Sequence, residues 1–355
     1  MIGQDNAVAP VAAALPEVPA RASGPAAIEV EGFAKSYGTV QAVKGISFSV
    51  AQGEIFGFLG PNGAGKSTTI RAMLDFIRPT AGTIRLLGLN AQRDTQDIHR
   101  RIGYVPGDVR LPRGITGRQL LDRYSRMQGL QPILLDQLIE RFDVEVDRPL
   151  QGYSKGMRQK IALVQAFMCD PELVILDEPT SGLDPISQRA FNTFLLDEAR
   201  SGRTVFMSSH IMSDVEKTCG RVGVIRAGEL VAVEQIETLR QRAGQKVTVE
   251  FGATGRPDDL GALRRIPGVV DLAPANHGTP AGPGVGAVTF TVRGSVDPLI
   301  KTLARYEVLH LSAEEAPLEE VFLQFYETPA TRAAASPTGG VGAGDEPSAK
   351  TAGQR

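Results

Sequence analysis

The chain has 355 residues, of which 42% are hydrophobic and 22% charged, and its formal net charge is -2. That length predicts two domains, each with enough apolar material for a core. A charge so near neutrality argues against a dedicated nucleic-acid binder, which carries a basic domain or stripe. Two cysteines, Cys169 and Cys219, lie outside any C-x-x-C pair. They fit reduced thiols rather than a disulfide framework, with Cys169 read as a small buried hydrophobe.

Residues 1–26 are rich in Ala, Pro and Val and show little periodicity, so a disordered tail is expected. They lack the basic start and unbroken apolar run of a secretory signal. No stretch of 18 apolar residues occurs anywhere, so a spanning helix is not expected and the chain is read as cytoplasmic. Between about 27 and 240, short apolar runs alternate with helical patterns. The runs are Glu54–Leu59, Thr83–Leu87, Ile102–Val105, Leu173–Leu176, Thr204–Ser208 and Val222–Arg226. Runs apolar on both faces predict a mostly parallel sheet covered by helices.

After the first run comes Gly60-Pro61-Asn62-Gly63-Ala64-Gly65-Lys66-Ser67, and Thr68–Ile77 follows with a helical pattern. G-x-x-x-x-G-K-S between a strand and a helix is a phosphate cradle. Its glycines let backbone N–H groups approach phosphate oxygens with no Cβ in the way. The helix dipole points its positive end at the same anion. Lys66 adds a charge over the β and γ phosphates of ATP, and the Ser67 hydroxyl can ligate Mg²⁺. The binding segment is expected to run from Gly60 through Thr68.

The stretch 107–150 holds helical patterns and no clear strand, and is read as an insertion in the sheet domain; with the helix that follows, this helical subdomain spans about 107–165. Thr116-Gly117-Arg118-Gln119 fits a capping box, with Ile115 and Leu120 placed for a hydrophobic staple. The spacing predicts a helix from there to about Gln128. Leu173-Val174-Ile175-Leu176 then ends in Asp177-Glu178. A buried strand ending in Asp puts that carboxylate beside the phosphates, where it can hold Mg²⁺. Glu178 is placed to orient and deprotonate the attacking water. Two acids at a strand end are also what a solvated terminus looks like, and only their position after the phosphate loop separates the readings. Thr204–Ser209 ends similarly in His210, at the same sheet edge and within reach of the γ-phosphate.

Residues 245–327 read differently. Strand candidates Lys246–Phe251, Val269–Leu272, Ala287–Val292 and Val308–Leu311 alternate with helical patterns at Asp258–Arg265 and Asp297–Arg305. The order β-α-β-β-α-β predicts a small α+β unit of the ferredoxin-like kind, with a closing helix near Leu318–Tyr326. The Gly- and Pro-rich loop Asn276–Gly286 is expected to be mobile, and 328–355 to form a second disordered tail.

Tyr153-Ser154-Lys155-Gly156-Met157-Arg158-Gln159 resembles the signature motif, consensus L-S-G-G-Q, of the ATP-binding cassette (ABC) ATPases. Asp177-Glu178-Pro179-Thr180 and Ser181-Gly182-Leu183-Asp184-Pro185 follow in that family's order, the latter similar to its D-loop. The resemblance covers about 27–230. It implies the family's P-loop fold: a mostly parallel sheet with an antiparallel edge and an inserted helical subdomain. It implies a stacking contact of Tyr37 with adenine, a switch role for His210 and a nucleotide contact for Asp184. It also implies a second copy, or a sister subunit, whose Ser154 and Gly156 cover the ATP bound here. The family often has Gln where Gly107 stands, so a metal contact from that loop is not expected.

Two classes of cassette remain. One is the ATPase subunit of an exporter with a separate membrane permease, touching the membrane only through it and binding no nucleic acid. The other is a soluble cassette acting on a macromolecular complex. Lys66 and Ser154 are 88 positions apart, too close for long coiled-coil arms, and no second phosphate loop occurs. Gly107-Asp108-Val109-Arg110-Leu111, Ile115-Thr116-Gly117 and Ala316-Pro317-Leu318-Glu319-Glu320-Val321-Phe322-Leu323 resemble drug-exporter ATPases of the daunorubicin-resistance type. That resemblance implies export of a drug, lipid or other hydrophobic compound. Residues 93–126 hold eight Arg against four Asp. This excess suits a permease or anionic lipid, and equally a solvated helical face.

Overall fold

The computed structural model describes residues 26–252, 261–274, 286–319 and 321–322. The chain opens as a long hairpin, β1 (Ala26–Tyr37) and β2 (Val40–Ala51), turning through Gly38-Thr39. β3 (Ile55–Leu59) is buried along its whole length and leads through the glycine loop into α1 (Lys66–Met73). Next come β4 (Ala81–Leu86), β5 (Leu89–Asn90), α2 (Thr95–Arg101) and β6 (Ile102–Val105).

A first sheet has the order β2-β1-β4-β5 and is antiparallel. This corrects the reading of Thr83–Leu87, which is not a member of the parallel sheet. Hydrophobic alternation alone cannot assign a strand to a sheet when both sheets bury apolar residues. β1 and β2 escape the pattern because their pairing shifts register several times, which breaks strict alternation.

The helical insertion follows β6 as α3 (Gly117–Gln128), α4 (Leu135–Phe142), a short 3-10 turn at Leu150–Gly152 and α5 (Lys155–Phe167). The expected capping box is present: Gln119 N donates to Thr116 Oγ1 at 3.3 Å, and Thr116 N to Gln119 Oε1 at 3.0 Å. Then come β7 (Leu173–Asp177), α6 (Pro185–Arg200), β8 (Thr204–Ser209), α7 (Met212–Thr218), β9 (Arg221–Arg226) and β10 (Glu229–Gln235).

The central sheet has the order β10-β9-β3-β8-β7-β6. β9, β3, β8, β7 and β6 are parallel, and β10 adds an antiparallel edge. Period 2 divides its side chains between two cores. Ile55, Leu59, Val174, Leu176, Val205 and Met207 join the cluster under the helices. Phe56, Phe58 and Phe206 face the first sheet, where Phe48 stacks on them at centroid distances of 5.4–6.1 Å. Aromatic pairs in this range add to the stabilisation that burial supplies.

The last part starts with α8 (Ile236–Ala243), followed by β11 (Gln245–Phe251), α9 (Gly261–Arg264), β12 (Val269–Pro274), β13 (Gly286–Val292), α10 (Asp297–Leu303) and β14 (Val308–Glu315). Its sheet, β12-β13-β11-β14, is antiparallel throughout. With the β-α-β-β-α-β chain order, this is the ferredoxin-like arrangement expected. A core of Val247, Val249, Phe251, Phe290 and neighbours belongs to it alone. Leu318, Glu319, Val321 and Phe322 are helical, and the rest of the expected closing helix lies outside the described residues, as do both tails except Ala26 and the loop Asn276–Gly286 except Gly286. Among the described residues no helix is long and apolar enough to cross a membrane.

Candidate nucleotide site

The site forms where β3, β7 and β8 end, at the edge where a parallel sheet offers helix N-termini and loops to a ligand. Gly60 is the tightest point of the loop after β3. A Cβ there would lie 2.3 Å from the Ile225 carbonyl oxygen, so only glycine fits. Gly65, directly before α1, has φ +114°, a conformation that side chains resist. Lys66 is buried, and its Nζ donates to the carbonyls of Gly60 at 2.6 Å and Pro61 at 3.3 Å. Asn62 and Gly63 lie at the exposed tip, while Ala64 is buried beneath. Ser67 and Thr68 stand half-buried in the first turn of α1.

β7 ends at Asp177, in register with Ser208 of β8. The Ser208 hydroxyl donates to Asp177 Oδ1 at 2.5 Å. The Glu178 N–H reaches both the Ser208 carbonyl and its hydroxyl at 3.2 Å. Ser208 therefore orients both acids. Sequence reasoning did not single it out, although a serine two places before the strand-ending His210 was the available signal. Glu178 has φ +52°, a strained backbone for a non-glycine, which turns its side chain away from the strand direction. Its Oε1 lies 3.2 Å from Lys66 Nζ and its Oε2 2.6 Å from His210 Nδ1. With Glu178 ionised, the second contact requires the proton on Nδ1. The structure thus brings Lys66, Glu178 and His210 into one chain of contacts.

The Gly107 backbone abuts Asp177, and a Cβ at this position would lie 3.4 Å from Asp177 Oδ2. Tyr104 on β6 stands close by. Burial, and then the negative charge of Asp177, push its phenol up to about 12. Asp177 and Ser67 offer hard oxygen donors of the kind Mg²⁺ selects, and Mg²⁺ usually keeps several waters and substrate phosphates as ligands. No cluster of three or more His, Cys, Asp or Glu is set for a metal among the described residues. The donor set fits a metal that arrives with a nucleotide.

Tyr37 is half-exposed at the end of β1, with Lys35 Nζ 5.2 Å from its ring centroid. Its hairpin also supplies Ala42, whose carbonyl would meet a Cβ on Gly65 at 3.0 Å. Ser154 caps α5, its hydroxyl accepting from Met157 N at 3.2 Å. Asp184 caps α6, accepting from Ile186 N and Ser187 N at 3.0 Å. The Ser187 hydroxyl donates to it at 2.6 Å and, with the backbone donors, holds its carboxyl down at about 2. Among the described residues no hydrogen bond or ion pair joins Ser154, Gly156 or Asp184 to the Gly60–Thr68 loop. These three predicted contacts are not assembled with the loop within one copy.

The sequence model of a family described as ABC transporter matches residues 43–181. The chain is 33% identical over 312 residues to the Nod factor export ATP-binding protein I of Ralstonia nicotianae, covering 84% of this chain and 92% of that protein. It is 35% identical over 219 residues to the bacitracin transport ATP-binding protein BcrA of Bacillus licheniformis, covering 61% and 72%. A solved ATP-binding subunit of an ABC transporter is 28% identical with a TM-score of 0.57, over 61% of this chain and 92% of that one. A bacterial ABC transporter cassette solved as a dimer shares the fold, with a TM-score of 0.55 at 20% identity over 59% of this chain and 98% of that one.

Proposed function

This chain belongs to the ATP-binding, ATP-hydrolysing subunits of ABC transporters of the export type, and from that premise we propose how its own residues run the cycle and what it drives. The observation that carries the reading is the Lys66–Glu178–His210 chain, with contacts of 3.2 and 2.6 Å. An incoming triphosphate would replace Glu178 as the partner of Lys66. Glu178, still held by His210, is then free to accept a proton from water as the water oxygen attacks the γ-phosphorus and the bond to the β-phosphate oxygen breaks. ADP and phosphate are the products.

Asp177 and Ser67 would hold Mg²⁺, which supplies charge neutralisation on the phosphates when bound. Gly60 through Thr68 wrap the phosphates, Tyr37 stacks on the base, and His210 follows the γ-phosphate. Ser154, Gly156 and Asp184 act on the nucleotide of a second copy, because within one copy they are engaged elsewhere. The ATPase body would span 27–240 and the accessory unit 245–327.

The subunit would sit at the cytoplasmic face of the membrane, held by a separate permease that exports a drug, lipid or other hydrophobic compound. A groove of about 630 Å³ lined by Val109, Arg110, Leu111, Arg113, Leu150 and Arg158 supports this reading. Its three arginines, set against the single acid Asp108, suit an acidic permease segment.

The test is Glu178→Gln. This variant should bind ATP as the parent does and lose hydrolysis by about 10²–10⁴-fold, the usual worth of a general base. With hydrolysis blocked, it should accumulate as an ATP-bound dimer on a sizing column. Hydrolysis at the parental rate would remove Glu178 from the role.

A further inference from the structure

Lys155 occupies a place where helix physics disfavours a cation. It opens α5, whose first turn contains no acid. The partial positive charge of a helix N-terminus favours anions there and repels lysine. The flanking sequence supplies no acid of its own. From Arg148 to Cys169 the chain has four cations, Arg148, Lys155, Arg158 and Lys160, and no acid. Arg158 lines the groove described above, which leaves Lys155 on the signature surface itself.

The side chain is nonetheless held in place. Its stem lies along Gly182, where a Cβ would come within 2.8 Å of Lys155 Cγ and Cδ. Its Nζ donates to Ser181 Oγ at 2.9 Å. Ser181 is its only polar partner among the described residues, so two of its three N–H groups are unclaimed. Two further approaches lock the same surfaces. A Cβ on Gly156 would lie 3.0 Å from the Gly182 carbonyl, and Gln159 Nε2 donates to the Pro179 carbonyl at 2.9 Å. Ser154, Lys155 and Gly156 thus form one preorganised face with the loop after Glu178, and among the described residues no ion pair engages Lys155.

We propose that Lys155 is a phosphate-binding cation delivered in trans, joining Ser154 and Gly156 on the triphosphate held by the phosphate loop of a second copy. This rests on the two-copy reading given above. An exposed ammonium is screened by water and salt, but one closed between two protein surfaces is not. Its two free N–H groups can make charge-assisted bonds to phosphate oxygens while Ser181 keeps the third.

The experiment uses the full chain in the Glu178→Gln background and measures ATP-driven dimerisation by analytical ultracentrifugation, with a fluorescent ATP analogue reporting binding to dilute single copies. Adding Lys155→Gln should raise the ATP concentration needed for dimerisation at least tenfold and flatten its salt dependence. Lys155→Arg should restore most of both, and single-copy nucleotide affinity should not move. Dimerisation unaltered by Lys155→Gln overturns the proposal while leaving the two-copy reading intact. An equal loss of affinity in single copies overturns it too, by showing that Lys155 acts on its own nucleotide. If the Glu178→Gln parent stays monomeric in millimolar ATP, the two-copy reading fails and this proposal with it.

Discussion

The carboxylate of Asp184 is engaged by its own helix before any nucleotide arrives. Three donors from Ile186 and Ser187 converge on it and hold its pKa at about 2, against an ordinary value of 3.8. A folded-state pKa below the unfolded one stabilises the fold above the unfolded value, and the contribution is lost as pH falls through the folded value. The start of α6 should therefore keep its cap at neutral pH and lose it between about pH 4 and pH 2. Asp184→Ala should melt lower than the parent at pH 7, and the gap should close as the pH approaches 2. A gap independent of pH would assign the loss to something other than this charged cap. At the same scale, Lys66 and Gly60 were legible in the sequence because phosphate chemistry restricts residue type at fixed spacing. Ser208 was not, because its role depends on the register of β7 against β8, and no local pattern encodes register.

Among the elements, α3 was the most legible. Its start is written in Thr116 and Gln119, whose interaction spans three residues and needs no tertiary partner. Thr116→Ala should cost about 0.5–2 kcal/mol, read from urea unfolding followed by circular dichroism, and Thr116→Ser should recover most of it. An unchanged midpoint would show that the packing of Leu121 and Ser125 carries the helix without its cap. The hairpin β1–β2 is the opposite case. Its charged and half-exposed residues and shifted pairing give no clean alternation. It becomes a sheet because Phe33, Val43, Phe48 and Val50 are buried against the aromatic face of β3 and β8. β4 shows the same limit, since its apolar run predicted a strand without saying which sheet would take it.

Across the whole molecule, the end of the described chain returns to the ATPase body. Ala316, Leu318, Val321 and Phe322 are buried in the same cluster as Met212, Val215, Ile236 and Leu239. Ala316 N donates to the Gly244 carbonyl at 3.1 Å. Arg240 Nε lies 3.7 Å from both Glu216 on α7 and Glu315 on β14. Burial pushes the Glu216 carboxyl up, against the pull of Arg240. Leu318→Ala should then cost about 2–5 kcal/mol, the usual loss for a buried leucine. The loss should fall on the melting of the ATPase body, seen as faster hydrogen exchange in α7 and α8. Faster exchange confined to β11–β14 would instead mean that the closing segment serves only the small unit.

What the amino-acid sequence determined by itself was the chemistry bound to short spacings: the phosphate loop, the strand ending in Asp177-Glu178, the capped start of α3 and the β-α-β-β-α-β order of the last unit. Each rests on interactions between residues a few positions apart, or on a residue type that the ligand dictates. Tertiary structure decided which sheet each strand joined, that Ser208 would orient Asp177, that Glu178 would bridge Lys66 and His210, and that Lys155 would lie against Ser181 and Gly182. Those contacts join residues 26 to 112 positions apart. They exist only once the parallel strands have taken their register and the two faces of the central sheet have been buried, because no local preference carries information over such distances.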